Sequence, residues 1–476
     1  MYSGHLNMLD FAIFAVTFAV VLIVAVVYLY PGSTRSTTIP GLTPADAKEG
    51  NLPDISAAGS FHQFLTTLHQ EFGNIASFYY GTQLCVSLAS PALWKQHLKV
   101  FDKPPDLFLF YQPMVGEGSL LYANKADGRS RRNLHSKCFN DDTMKKYCQA
   151  FNTASEEIKD KFSSMSKEEH IPICQYMTAL ALKTIIKTLF GKYFEDDRKV
   201  LELKKNFDIC WHEIELRLNE EPTEGSARQK RFEKALENIQ TLFCDVRRQC
   251  IDKPSSEKDR LFIDTLVASD CSEDEIVSDC ITYLVGGFHT TAYLLSWGLY
   301  FLATDKDAQE KVSEEVDELL QQDGKIDNGN VNKLIYLNQV VKETLRCSIL
   351  SPWTARYQDI DVEIGGHIIS KNTPVMHALG VVLQDEAVWP EPKKFDPERF
   401  SADNSKDFDD VAFSPFGFAG RRTCPGSKYA TIEAVIFLAE LCHKFKWHMV
   451  EGQVVESKYG LVTHPKEEIW VTISKR

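Results

Sequence analysis

From Phe413 to Gly426 the chain reads FSPFGFAGRRTCPG, a glycine-rich loop that ends in a cysteine and runs straight into the helical pattern SKYATIEAVIFLAELCHKF. This junction restricts the fold more than any other stretch. Glycines 417, 420 and 426 permit positive φ and close backbone approach. A cysteine at this place has N–H groups of the following turn directed at its sulfur, which stabilises a thiolate and tunes its donation to a metal. Cys424 is one of twelve cysteines, scattered without CxxC pairs, and most buried cysteines only pack, so context rather than residue type singles it out. Arg422, two residues earlier, is placed to pair with a buried carboxylate of a cofactor. The plain alternative for Arg421 and Arg422 is a solvated basic turn.

Such a site needs a fold around it that excludes water. With 476 residues, 44% hydrophobic and 25% charged, the chain has enough for a large core. A net charge of −13 argues against general affinity for nucleic acid. The unpatterned cysteines fit a reducing compartment. No repeat, low-complexity tract or long polar linker interrupts the chain after about residue 45, so one domain is the economical reading. Strand-like pieces run over Ile75 to Tyr80 and Leu84 to Ser87, helical patterns dominate to about Arg346, and strand-like pieces return between Asp361 and Val375 and after Gln453. The expected fold class is mainly α with small β-sheets (α+β).

Ahead of this domain, Phe11 to Tyr30 has only Thr17 as a clearly polar residue. As a helix these residues span about 30 Å, the thickness of a bilayer core. A cleaved signal peptide competes, but no Lys or Arg precedes the run and no small-x-small site follows it. Arg35, just beyond, places the bulk of the chain in the cytosol by the positive-inside rule. The expected division is a membrane anchor over residues 1–34 and a catalytic domain over 35–476.

Three further segments stand out. In VVKETLRCS, Glu343 and Arg346 share a helical face at i, i+3. Downstream lies Phe395-Asp396-Pro397-Glu398-Arg399-Phe400. Ile281 to Ala303 reads as a long apolar helix interrupted by Gly286-Gly287 and Thr290-Thr291, and by itself it could be an ordinary core helix.

Taken with these segments, the cysteine loop resembles the cysteine-ligand loop of cytochromes P-450, with Gly420, Arg422, Cys424 and Gly426 at matching positions. The aromatic residue usual seven before the cysteine is displaced: that position is Gly417, and the aromatic is Phe416. The resemblance covers roughly Pro40 to the end, and Leu379 to Asp385 and Glu451 to Thr463 look most like the vertebrate orphan family numbered twenty. It implies a cytochrome P-450 fold and haem b (iron protoporphyrin IX), with Cys424 as metal ligand and Phe416, Gly420, Gly426 and Gly286 beside the cofactor. Arg132, Arg356 and Arg422 would serve the haem propionates. Glu343, Arg346 and Arg399 would form a buried structural ion cluster. Thr290 matches the threonine whose hydroxyl donates to bound dioxygen, and His289 stands where Asp or Glu is usual; these two are the candidate catalytic residues. Gly128 stands where tryptophan is usual.

The resemblance further implies a monooxygenase that inserts one oxygen atom from O2 into a lipophilic small molecule. Its electrons would come from NADPH through NADPH-cytochrome reductase, with cytochrome b5 as a second candidate donor. Arg129, Arg131, Lys137, Arg421 and Lys428 are candidates for a basic docking patch. The implied location is the endoplasmic reticulum membrane, single-pass, with the catalytic domain cytosolic. Two rivals keep the haem: a reductase-independent isomerase or dehydratase of an oxygenated lipid, and a non-catalytic membrane haem protein.

Overall fold

The computed structural model describes residues 16–22, 37–194, 196–218, 220–256, 259–407 and 409–476. Most of the predicted anchor, residues 1–34, lies outside the described residues; residues 16–22 are helical, with Val16, Phe18 and Leu22 exposed. Among the described residues no helix is long and apolar enough to cross a membrane.

Helices make up most of the remainder: α1 (Phe61–Phe72), α2 (Lys125–Ser136), α3 (Asp141–Ser163), α4 (Ile173–Phe190), α5 (Asp197–Arg217) and α6 (Ala227–Asp252), then α7 (Glu273–Gly287), α8 (His289–Thr304), α9 (Lys306–Asp323), α10 (Ile335–Ser348) and α11 (Ser427–Lys444). Their starts are written locally. Asn140 accepts the Thr143 N–H ahead of Asp141 and Asp142 at the head of α3, and Ser272 and Glu275 form a reciprocal capping box on α7. The helix after the cysteine is buried continuously from Ile432 to Cys442, so α11 is a central core helix rather than an amphipathic surface one. It crosses α8 closely at Gly298, where an added Cβ would stand 3.0 Å from Leu438.

The strands are short. β1 (Ile75–Tyr80) and β2 (Gln83–Leu88) pair antiparallel, β2 continues parallel to β7 (Val375–His377), and β7 pairs antiparallel with β4 (Thr354–Arg356). This sheet packs with α1 into a second hydrophobic cluster beside the helical core. A β5–β6 hairpin (Val362–Ile364, His367–Ile369) lies within the predicted strand-like region. A further sheet orders β3 (Ile171–Pro172), β11 (Trp470–Lys475) and β8 (Phe445–Met449), and β9 (Ser457–Tyr459) pairs with β10 (Thr463–Pro465). The fold is mainly helical with small sheets.

One expected element is divided. The apolar run from Ile281 is two helices that meet at Phe288, whose φ of −86° and ψ of −74° distort the chain while its N–H still bonds Leu284 and its carbonyl still accepts the Ala292 N–H. The glycine pair before the break is a poor helix former, and the Thr290 hydroxyl donates to the Gly286 carbonyl, a back-bond that competes with the ladder.

Candidate active site

Cys424 sits between two hydrophobic clusters because the loop before it straddles them: Phe416 packs on the helical core and Phe418 on the sheet cluster. Phe418 stacks on Trp94 at 5.1 Å, and the Phe416 carbonyl accepts the Cys424 N–H at 2.9 Å. Gly420 has φ of +68°, its N–H donates to the Leu98 carbonyl at 2.7 Å, and an added Cβ would lie 2.0 Å from the Val100 carbonyl oxygen. No other residue fits there. The Cys424 side chain is accessible although it lies deep enough among protein atoms for burial to disfavour its charged form. Burial raises its thiol pKa, opposed by the Gly426 N–H and by the charges of Arg132 and Lys103.

Those charges belong to a convergent set. Arg132 on α2 donates to the Thr423 carbonyl, next to the cysteine. Arg356, at the end of β4, is buried, donates to Thr354 and the Ala355 carbonyl, and keeps a buried Nε without a hydrogen-bond partner among the described residues. Arg422 directs both terminal nitrogens at the segment before α2, to the carbonyls of Leu120, Leu121 and Ala123 and to Asn124 Oδ1, at 2.7–3.1 Å. The fourth member, Lys103, has its Nζ 5.0 Å above the Phe108 ring and no salt bridge among the described residues. Burial and the arginines 422, 356 and 132 push the Lys103 pKa well down. Burial and neighbouring arginines likewise lower Arg356 to about 10 and Arg422 to about 9. Four cations held together at such a cost call for a multiply charged anion among them. A thiolate donor beside a cradle for carboxylates suits a haem with its iron on Cys424 and its propionates among these cations.

Lys103 escaped the sequence reading because a lone lysine in FDKPP carries no local signal; only three arginines from distant segments give it meaning. Gly128 is explained by its surroundings: an added Cβ would meet the Ala123 carbonyl at 2.4 Å and the Phe101 ring at 3.0 Å. Phe101 fills that space, flanked by the guanidinium groups of Arg129 and Arg422 at 4.7 and 4.8 Å. Arg131, read as a surface cation, is instead buried and paired with Asp279 at 2.6 Å; Arg129, Lys137, Arg421 and Lys428 remain exposed.

On the central helix, a Cβ at Gly286 would meet nothing within 4 Å, so this side borders open space. His289, at the head of α8, turns into an aromatic cage of Phe207, Trp211, Phe288 and Tyr293, with centroids 4.4–5.7 Å away. Burial, then His464 and Lys204, lower its pKa to about 3, and its Nδ1 is buried without a hydrogen-bond partner among the described residues.

Farther from the cysteine, Glu343 accepts from Arg346 at 2.7 and 2.8 Å, from Arg399 at 3.3 Å and from the Asp396 N–H at 2.9 Å. Glu343 and Arg346 are fully buried and Arg399 is 9% exposed. Arg346 also reaches the carbonyls of Leu383 and Lys394, so this cluster ties α10 to the segment leading toward the cysteine loop.

A family model described as Cytochrome P450 matches residues 46–472. The protein named Cytochrome P450 20A1 of Bos taurus is 38% identical over 475 residues, covering 98% of this chain and 100% of that protein. That of Homo sapiens is 36% identical over 473 residues, with the same shares covered. Cytochrome P450 4V2 of Mus musculus is 27% identical over 403 residues, covering 78% of this chain and 76% of that protein.

Proposed function

Because the chain belongs to the cytochrome P450 family, we propose that it is a haem-thiolate monooxygenase of a lipophilic small molecule, anchored to the endoplasmic reticulum membrane by residues 1–34 with residues 35–476 as its cytosolic catalytic domain. The observation that carries the reading is the accessible Cys424 sulfur beside the four converging cations Lys103, Arg132, Arg356 and Arg422. Cys424 would hold the iron, with Gly426 directing its N–H at the sulfur, and the cations would hold the propionates. Bound there, the haem b supplies the oxygen-inserting redox chemistry. The chain's own part is to position the substrate against Gly286, to hold a hydroxyl at Thr290 and to exclude water. Electrons would arrive from NADPH through a reductase, with cytochrome b5 as a second donor, at the exposed Arg129, Lys137, Arg421 and Lys428.

One observation favours a second reading. With a pKa near 3 the caged His289 is neutral at physiological pH, so it is a poor substitute for the carboxylate that relays protons in relatives. A reductase-independent isomerase or dehydratase of an oxygenated lipid needs no such relay. Turnover of lipid libraries with NADPH and reductase, against turnover of lipid hydroperoxides without them, separates the two. The monooxygenase reading expects reductase-dependent product that Thr290→Ala diminishes or uncouples; product from hydroperoxides alone refutes it in favour of the second. Normal haem binding with no product in either arm points to a non-catalytic membrane haem protein.

A further inference from the structure

The segment Gly116 to Tyr122, just before α2, lies pressed on α7. An added Cβ at Gly116 would stand 2.6 Å from Ser278 Oγ, and one at Gly118 would stand 2.2 Å from Asp274 Oδ2, so side chains of α7 occupy the space that a side chain at either glycine would need. The segment is also tied down. The Leu120 N–H donates to Asp279 Oδ1 at 2.6 Å, the Ser119 and Thr282 hydroxyls share a hydrogen bond of 2.7 Å, and Arg131 donates to the Gly118 carbonyl at 2.7 Å. Asp279 is fully buried. Its second oxygen takes Arg131 at 2.6 Å and lies 3.2 Å from His135 Nε2, and His135 in turn meets the Tyr283 hydroxyl at 3.0 Å.

The other side of the same peptides belongs to the cysteine loop. Arg422 donates to the Leu120 carbonyl at 2.9 Å and to the Leu121 carbonyl at 3.1 Å. Leu120 is therefore gripped at its N–H by α7 and at its carbonyl by a residue two before Cys424. We propose that Asp279 is a positioning residue: through Leu120 it fixes Arg422, and so holds the cysteine loop and the cation cradle in register with the central helix. The inference deepens the haem-thiolate reading and rests on it. A physical consequence is that the helix bordering the substrate space and the loop bearing the metal ligand are coupled through the backbone of one residue, Leu120, not only by general packing.

The perturbation is Asp279→Asn, which keeps the shape, weakens the acceptor and leaves Arg131 with Glu275, at 3.3 Å, in place of its closer partner. A buried carboxylate whose hydrogen bonds lie outside this network serves as control: Asp264, 5% exposed, bonded to Ser255, Cys250 and the Leu261 N–H. In full-length, haem-loaded protein two quantities are read: the rate of haem transfer to an excess apo-haem-protein acceptor, and the Soret position of the ferrous carbon monoxide complex. Asp279→Asn is expected to speed haem loss at least tenfold and to convert part of the thiolate-type band to the unshifted form. Asp264→Asn, matched in thermal destabilisation, should change neither more than twofold. Should Asp279→Asn not accumulate, Thr282→Val removes the parallel hydrogen bond without stranding a charge, and a severalfold faster haem loss is expected of it. Asp279→Asn or Thr282→Val indistinguishable from Asp264→Asn overturns this inference alone. A wild type without any thiolate band overturns the haem-thiolate reading and this inference with it.

Discussion

Replacing Glu343 by Gln is the sharpest stability test of how the cysteine side is held. The carboxylate accepts two hydrogen bonds from a fully buried guanidinium, one from Arg399, one from the Asp396 N–H and a weaker one from the Cys347 thiol. Gln keeps the volume but puts an NH2 group against the Arg346 donors and leaves a buried cation without its counter-charge. Breaking a buried pair in this way costs about 3–5 kcal/mol. Arg399→Met should cost less, about 1–3 kcal/mol, because Arg399 is the more distant partner and removing it strands no cation. Lys145→Ala, which removes a pair with side chains 67% and 89% exposed, should stay under about 1 kcal/mol. Equilibrium urea unfolding at equal haem loading reads all three, with the slope required to stay constant so that midpoints can be compared. A loss below about 1 kcal/mol for Glu343→Gln would refute the reasoning, since the cluster would then be replaceable packing.

Other expectations follow from the same geometry. His289 has a folded pKa of about 3, below the ordinary 6.5, so its contribution is present above about pH 6.5 and is lost as pH falls toward 3. At pH 5 that loss amounts to about 2 kcal/mol, and His289→Gln should show a correspondingly flatter stability profile between pH 7 and pH 5 in urea titrations. Gly417→Ala meets no neighbour within 4 Å but has φ of +74°, so it should cost about 1–2 kcal/mol. Gly420→Ala collides with the Val100 carbonyl as well and should cost distinctly more, read as the difference in thermal midpoint. Lys103→Met should speed haem loss and Lys103→Arg should largely preserve retention, measured by haem transfer; equal rates for the two variants would remove Lys103 from the cradle.

How much of this was legible in the sequence depended on whether the signal was local. Cys424, Gly420 and Arg422 announce themselves within a dozen residues because a tight turn needs glycine and a thiolate needs nearby donors. Glu343 and Arg346 are legible because i, i+3 spacing faces two side chains the same way. Lys103 and Asp279 were not, since each acquires its role from segments far away in the chain. Arg131 was misplaced on the surface for the same reason: it shares a basic cluster with exposed Arg129, and only the packing of α2 on α7 tells them apart. The break at Phe288 was hidden because apolar residues continue on both sides of it, and β8 was hidden because its first residue, Phe445, completes the apolar pattern of the preceding helix.

The most direct test of the central claim is the visible spectrum of the dithionite-reduced, carbon monoxide-treated protein, recorded for wild type and Cys424→Ser. A strongly red-shifted Soret band in wild type that is lost in Cys424→Ser is the predicted result. Absence of haem in wild type, or an unshifted band that Cys424→Ser leaves unchanged, would contradict thiolate ligation by Cys424 and the function proposed from it.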